Sequence, residues 1–473
     1  MSEIEKNRKI KDLSKSTAVF TIGSFSTSII SFLLVPLYTY ILSTSEYGTL
    51  DIVNTTVQLL IPVLTLNIQD SVLRFSLDKE YKKKDVIRVG LFINIIGDIV
   101  LGCVLLIVSM LHLISFPANY TFFLYISYVS GALNKSLIMY LKAKDKVVNL
   151  TVWGIISTLI NCSFNLILLL VVKMGVNGYM ISFVSGTIIA DVGMMATAGV
   201  CTDIKTSKAN PSLRKAMLAY GIPLVLNSIA WWINNASDRY ILTLFCGESV
   251  NGIYSVSYKI PSILAVVQTI FYNAWSVSAI TEYDKDDTDG FMGNVYSAYS
   301  YASFVGCSII MLFNILVAKI LYANDFFQAW VFVPVLLVGT VFNGLGHFHG
   351  SIFTARKLTK EIAFTTLFGA AANILLNFVL IPQYGALGAA IATMIGYFGV
   401  WMIRTIRLRN IIKMKVHWLK QIVCIIIIIV QCIIATYIEN PLYQLPCVVL
   451  LCFLSWNVML KTWNKLIAII KRR

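Results

Sequence analysis

Uninterrupted apolar runs of 18 residues or more recur along the whole 473-residue chain, and each can cross a hydrocarbon core of roughly 30 Å as a helix. Strands are a poor spanning element here, because lipid-facing barrel strands alternate apolar and polar residues and these runs do not. Hydrophobic residues fill 58% of positions and charged residues only 13%, too little polar surface to cover the core of a soluble domain this large. The chain therefore reads as an all-α integral membrane protein of about 14 transmembrane helices. The expected spans are 15–42, 47–72, 86–112, 119–142, 147–172, 176–200, 216–245, 249–280, 292–319, 327–354, 361–382, 386–408, 416–437 and 443–464.

The net charge of +15 is explained by where the basic residues fall. The N-terminal tail carries Lys6, Arg8, Lys9, Lys11 and Lys15, and the connection after span two carries Lys79, Lys82, Lys83, Lys84 and Arg88. Lys142, Lys144 and Lys146 follow span four, Lys205, Lys208, Arg214 and Lys215 follow span six, and Arg356, Lys357 and Lys360 follow span ten. Arg404, Arg407, Arg409, Lys413, Lys415 and Lys420 follow span twelve, and the chain ends Lys471-Arg472-Arg473. Alternate connections hold only Lys173 and Lys319. This is the positive-inside asymmetry, which places both termini in the cytoplasm and excludes a nucleic-acid footprint. The charged start lacks a cleavable signal pattern, so span one is expected to stay in the membrane. One connection departs: 281–290, TEYDKDDTDG, holds five carboxylates and one lysine. It lacks the glycine and terminal glutamate spacing of a calcium loop and reads as solvated. The nine cysteines form no CxxC pair. His347 and His349 fall on nearly opposite helix faces, so no metal and no cofactor are expected.

An internal repeat divides the chain. Tyr40-Ile41-Leu42 matches Tyr240-Ile241-Leu242, and Gly48 matches Gly252 after a four-residue insertion. Gly175-Val-Asn-Gly178 matches Gly385-Ala-Leu-Gly388, each opening a helix after a short outer turn. The expected organisation is a cytoplasmic tail 1–12, an N-lobe 13–200 of spans one to six, a cytoplasmic linker 201–215, a C-lobe 216–410 of spans seven to twelve, and an appendage 411–473 with spans thirteen and fourteen. Each repeat holds an even number of spans, so the two are parallel.

Polar residues inside the spans mark the candidate site. Span seven carries Asn227, Trp231, Asn234 and Asp238 at spacings of 4, 3 and 4, which share one helix face, with Arg239 next in sequence. Span two presents Asp51, Asn54, Thr55 and Gln58, and span eight presents Ser255, Lys259 and Ser262. Lys259 lies ten residues into span eight, ~15 Å deep at the helical rise, where a lysine costs roughly 2.5–3.5 kcal/mol. Two readings stand: an ion pair with Asp238 that fixes packing, or a cation lining a wet cavity and meeting an anionic cargo. Tyr258, with Tyr254 and Trp231, can stack on sugar rings or simply pack. Pro36, Pro223 and Pro261 interrupt helices beside this region and permit bends.

No GxxxxGK[ST], HExxH or GxSxG occurs, so neither an ATP-driven pump nor a hydrolase is indicated and the chain is not expected to be an enzyme. The runs PLYTYILSTSEYGTLDIVNTTVQLL, YGIPLVLNSIAWWINNASDRYILTLFCGESVNGIYSVSYKI and NILLNFVLIPQYGALGAAIATMIGYF resemble the polysaccharide-biosynthesis flippases of the multidrug/oligosaccharidyl-lipid/polysaccharide exporter superfamily. The resemblance covers about residues 15–410. It implies two six-helix lobes in a V around a central cavity, plus two extra C-terminal helices. It further implies a carrier in the bacterial cytoplasmic membrane that flips a polyprenyl-diphosphate-linked oligosaccharide from the inner to the outer leaflet by alternating access, for surface polysaccharide biosynthesis. Expected partners are that lipid-linked oligosaccharide with its anionic head, membrane lipids, H+ or Na+, and a polysaccharide polymerase. A cation-coupled multidrug exporter of the same superfamily would draw on Asp51, Asp98, Asp191 and Asp238. A membrane glycosyltransferase or polymerase comes third, since the longest loop, about fifteen residues, is short for holding a substrate.

Overall fold

The computed structural model describes residues 30–78, 80–111, 117–208, 210–281, 283–288, 290–356 and 358–471. The expected tail 1–12, residues 15–29 of span one, Lys79, Lys357, Glu282, Asp289 and Arg472-Arg473 lie outside the described residues. No strand forms among the described residues. The helices run Val35–Ile41, Thr44–Leu64, Ile68–Leu77, Lys83–Met110, Ala118–Ala143, Val147–Asn165 with a π-helical continuation Leu166–Val171, Gly175–Thr197, Val200–Thr206 and Pro211–Cys246. They continue as Glu248–Ser257, Lys259–Thr281, Phe291–Leu312, Asn314–Leu321, Val333–Ala355, Thr359–Leu408, Trp418–Tyr437 and Leu445–Lys471, with 3₁₀ turns at Asn324–Val331 and Pro441–Gln444.

Eight of these helices are long and apolar enough to cross a membrane, or ten if each of two bent pairs is one span. That is fewer than the expected fourteen, and the breaks are part of the reason. Thr44–Leu64 and Ile68–Leu77 meet at 53°, because Leu66 and Asn67 both take positive φ. Thr359–Leu408 contains two expected spans, parted at Gly385 with φ 55° and ψ −133°, a conformation open to glycine alone. Gly175, its match in the repeat, has φ 53°. Both glycines matched in sequence thus take positive φ at their turns.

The chain divides into two compact units, one comprising residues up to Leu42 and Thr49–Trp232, the other Ser43–Gly48 and Ile233–Arg473. The first unit is built around Ile68, Val86, Leu137, Tyr140 and Met217. Ser71 Oγ donates to the Met217 carbonyl at 2.8 Å, and Lys144 meets Asp203 at 2.6 Å. Arg74 pairs with Asp78 at 3.7 Å, whereas Asp70 accepts from Asn67.

The second unit is richer in aromatic packing, with Trp275 stacked on Phe348 at 4.2 Å and Phe271 on Tyr299 at 4.3 Å. Gly48 and Gly252 lie against each other there, since a Cβ on either would run into the backbone of the other's segment. Arg404, assigned from sequence to a basic connection, is instead 4% exposed. The helix runs on to Leu408, and Thr365 Oγ1, Thr366 Oγ1 and the Gly346 carbonyl accept from its guanidinium. The appended helices are joined by buried amides: Gln421 donates to Ser300 Oγ at 2.9 Å, and Gln431 bonds the Ser308 hydroxyl and carbonyl at 2.6 and 2.9 Å.

The acidic connection is not merely solvated. Asp287 accepts from Met292 N and Gly293 N and caps the helix that follows. Lys413 meets Asp286 at 3.0 Å, and Lys415 Nζ donates to the Thr288 carbonyl at 3.1 Å. The loop therefore clasps the basic segment before Trp418.

Candidate functional site

The polar residues of the second unit converge on Asp238. It lies in helix Pro211–Cys246 and is 3% exposed. Its Oδ2 accepts from Tyr254 Oη at 2.7 Å, Tyr258 Oη at 3.0 Å and Thr393 Oγ1 at 3.4 Å, and Oδ1 accepts from Arg239 N at 2.9 Å. The tyrosine hydroxyls are themselves 2.9 Å apart. Tyr254 and Tyr258 stand one helical turn apart, so both phenols reach the same carboxylate. The turn at Tyr258 separates helix Glu248–Ser257 from Lys259–Thr281, and Pro261, lacking an N–H, cannot bond back across it.

A second layer supports this arrangement. Asn373 Nδ2 donates to Thr393 Oγ1 at 3.3 Å, while Asn373 Oδ1 accepts from Asn377 at 2.9 Å and Ser237 at 3.4 Å. Asn234, one turn before Asp238, donates to the Thr366 carbonyl at 3.2 Å. Tyr397 Oη donates to Asn235 Oδ1 at 3.2 Å. The Arg239 guanidinium lies 5.3 Å from the Tyr258 ring centroid, a cation–π contact.

Dipoles rather than a lysine therefore hold the Asp238 carboxylate. Hydrogen bonds to a charged group contribute about 1.5–3 kcal/mol each, which together offset a desolvation of several kcal/mol. Of the two readings open for Lys259, the ion pair with Asp238 is not present: among the described residues no ion pair joins them. Tyr254 and Tyr258 occupy Asp238 Oδ2 instead. Lys259 is half-buried at the start of its helix, and no hydrogen bond or ion pair of its ammonium is present among the described residues.

The ten expected site residues are distributed between the units. Asn234, Asp238, Arg239, Tyr258 and Lys259 belong to the second unit, and Asp51, Asn54, Gln58, Asn227 and Trp231 to the first. Asn227, Trp231 and Gln58 are exposed, while Asp51 and Asn54 are half-buried. Thr55, on the same helix face, is buried, and its carbonyl accepts from Trp232 Nε1 at 2.8 Å. Tyr254 was open to a stacking role but serves as a donor to Asp238. Thr393, Asn373, Asn377 and Tyr397 went unnoticed in sequence, although Asn373 and Asn377 show the i, i+4 spacing of a shared face. No group of three or more His, Cys, Asp or Glu able to hold a metal occurs among the described residues.

The family described as polysaccharide biosynthesis protein matches residues 13–283. An uncharacterized membrane protein of Methanocaldococcus jannaschii is 24% identical over 249 residues, 49% of this chain and 48% of its own length. The probable low-salt glycan biosynthesis flippase Agl15 of Haloferax volcanii is 23% identical over 215 residues, 43% of this chain and 45% of its own. These matches span about half the length of the curated relatives. Among solved structures, lipid II flippase MurJ in an inward closed conformation superposes with TM-score 0.71 at 13% identity, covering 95% of this chain and 100% of that one. An inward-facing multidrug resistance MATE family transporter of the MOP superfamily superposes with TM-score 0.65 at 13% identity, covering 83% and 98%. The fold is that of this transporter superfamily.

Proposed function

The chain belongs to the polysaccharide biosynthesis protein family, and from that premise we propose that it is a flippase moving a polyprenyl-diphosphate-linked oligosaccharide from the inner to the outer leaflet. Alternating access between two lobes, 13–200 and 216–410, carries the cargo, and surface polysaccharide biosynthesis consumes it. One observation supports an anionic cargo above others: Lys259 lies inside a spanning segment with no ion pair of its ammonium among the described residues, while the Asp238 carboxylate is held by tyrosines. A diphosphate crossing a low-dielectric region needs a cation and hydrogen-bond donors in place of water. Lys259 and Arg239 supply the charge, with Asn234 beside them. An inside-negative potential assists outward movement of the anionic head, at ~2.3 kcal/mol per charge per 100 mV. H+ or Na+ resets the empty carrier through Asp238 or Asp51.

The test is Lys259→Ala in the native host. Surface polymer should be lost, with lipid-linked repeat units accumulating on the inner leaflet while the protein stays in the membrane; Lys259→Arg should keep part of the transport. Wild-type polymer in Lys259→Ala retires the anionic-head role. Drug extrusion without any change in lipid-linked intermediates would favour the multidrug exporter instead.

A further inference from the structure

The first unit holds a set of oxygens that nothing above uses. Helix Thr44–Leu64 stops where Leu66 and Asn67 turn to positive φ. The amides beyond the break bond elsewhere: Thr65 N to Ile61 O, Leu66 N to Val63 O, Asn67 N to Pro62 O and Ile68 N to Thr65 O. The Leu64 carbonyl is passed over, and no backbone donor reaches it among the described residues. It faces Gly97 of helix Lys83–Met110, where a Cβ would lie 3.1 Å from Leu64 O and 2.5 Å from Tyr128 Oη. Tyr128 is fully buried, and its hydroxyl has no hydrogen-bond partner. Asp98 follows Gly97; its buried Oδ1 has no partner either, and it lies within electrostatic reach of Tyr128.

The Leu64 carbonyl and the Tyr128 phenol thus meet at Gly97 beside one broken helix, against a cluster formed by Val57, Ile61, Leu101 and Ala132, and the Asp98 carboxylate belongs to the next residue along. Irregular backbone at membrane depth persists where it lines a cavity or an ion path, and freed carbonyls there are suited to monovalent cations. Asp98 lies 15 residues from Lys83 and 12 from Met110, so at the helical rise it is ~20 Å from either helix end. A cavity of about 220 Å³ is bordered by Thr56, Leu105 and Leu124. These residues stand one or two turns outward on the same three helices, so the cavity offers a way in.

We propose that Leu64 O, Tyr128 Oη and the Asp98 carboxylate form a Na+ site within the first unit. The small size of the Gly97 side chain is what lets the two neutral oxygens approach. The site is independent of the cargo reading, because its test needs no lipid-linked sugar. Purified full-length protein is titrated with radioactive Na+, using choline as the inert cation. Wild type and the loop variant Asp284→Asn should bind saturably, Asp98→Asn should lose saturable binding, and Tyr128→Phe should weaken it by roughly tenfold, about 1.4 kcal/mol. Tyr128→Phe keeps the ring in its cluster and decides the matter if Asp98→Asn fails to fold. Absence of saturable binding in the wild type, as for a site filled by water, overturns the proposal. Unchanged affinity in Asp98→Asn or Tyr128→Phe does so too. Loss in Asp238→Asn alone would place the ion in the second unit and overturn it likewise.

Discussion

Asp238 and Asp191 are both buried in spanning helices, 3% and 2% exposed, yet their surroundings differ. Asp238 receives three hydroxyls and a backbone amide. Asp191 receives one amide, from Asn134 at 2.6 Å, and its Oδ2 has no hydrogen-bond partner among the described residues. Asp98 in the same unit shares that poverty. The contrast teaches that the two units do not carry equivalent interiors. The second unit holds the Asp238 carboxylate with four donors, which suits a scaffold of defined shape. The first unit leaves carboxylate oxygens of Asp98 and Asp191 unpartnered, which suits binding and release.

The largest test of that contrast is removal of each carboxylate. Asp238→Leu strips the acceptor from a set of buried donors and should lower stability by about 3 kcal/mol, whereas Asp191→Leu should cost about 1 kcal/mol. Unfolding of the purified proteins in detergent, followed by tryptophan fluorescence, reads both; equal losses would break the comparison. Next come the matched glycines. A Cβ at Gly388 would overlap the Leu380 carbonyl, while one at Gly178 meets only side chains at 3.2 Å. Gly388→Ala should therefore destabilise by about 2 kcal/mol and Gly178→Ala by less than about 1 kcal/mol. The same unfolding assay would show whether the repeat is as unequal in its turns as in its carboxylates.

Smaller effects sharpen the picture within the second unit. Gln431→Leu leaves the Ser308 hydroxyl without its acceptor and should cost about 1 kcal/mol, seen as faster amide hydrogen exchange in Trp418–Tyr437. Smallest is the acidic loop. Thr288 donates to Asp284 through its hydroxyl at 2.6 Å and its amide at 2.7 Å, and these bonds hold the Asp284 carboxyl below its ordinary value. A depressed folded-state pKa means the loop is stabilised above the unfolded value and loses this support as pH falls through the folded one. The protection factor of the Thr288 amide, which removes the intrinsic pH dependence of exchange, should fall on acidification below the usual carboxylate range. In Asp284→Asn it should be low and insensitive to pH there.

Much of this architecture is legible in the sequence because lipid imposes it. Continuous apolar runs announce helices, and Gly175 and Gly385 announce turns that only glycine makes easily. The face bearing Asn234 and Asp238 follows from spacing, as does the pair Tyr254 and Tyr258. What spacing cannot supply is who meets whom across the fold. Thr393 reaches Asp238 from 155 residues away, and the tyrosines take a carboxylate that charge alone assigns to Lys259. Arg404 misled for a related reason: a cation near a helix end is assigned to water until neutral oxygens are seen around it. The break after Leu64 is invisible in a run as apolar as LIPVLTLNI, because positive φ at Leu66 is dictated by the turn and not by residue preference.

The clasp between the acidic loop and Lys413–Lys415 has a consequence during synthesis. Lys413 emerges 125 residues after Thr288, and at roughly 5–20 residues per second the loop waits several seconds or more for its counter-charge. Through that interval TEYDKDDTDG is an uncompensated acidic stretch between two newly made helices, with Lys285 its only cation. Helix Phe291–Leu312 has its Asp287 cap at once, from within the loop, but Ser308 and Ser300 must wait for Gln431 and Gln421. The last eighth or so of the chain therefore completes a structure begun earlier. Ribosomes stalled before residue 413 should yield a nascent protein whose loop is open to protease and whose ninth expected span is still free to slip.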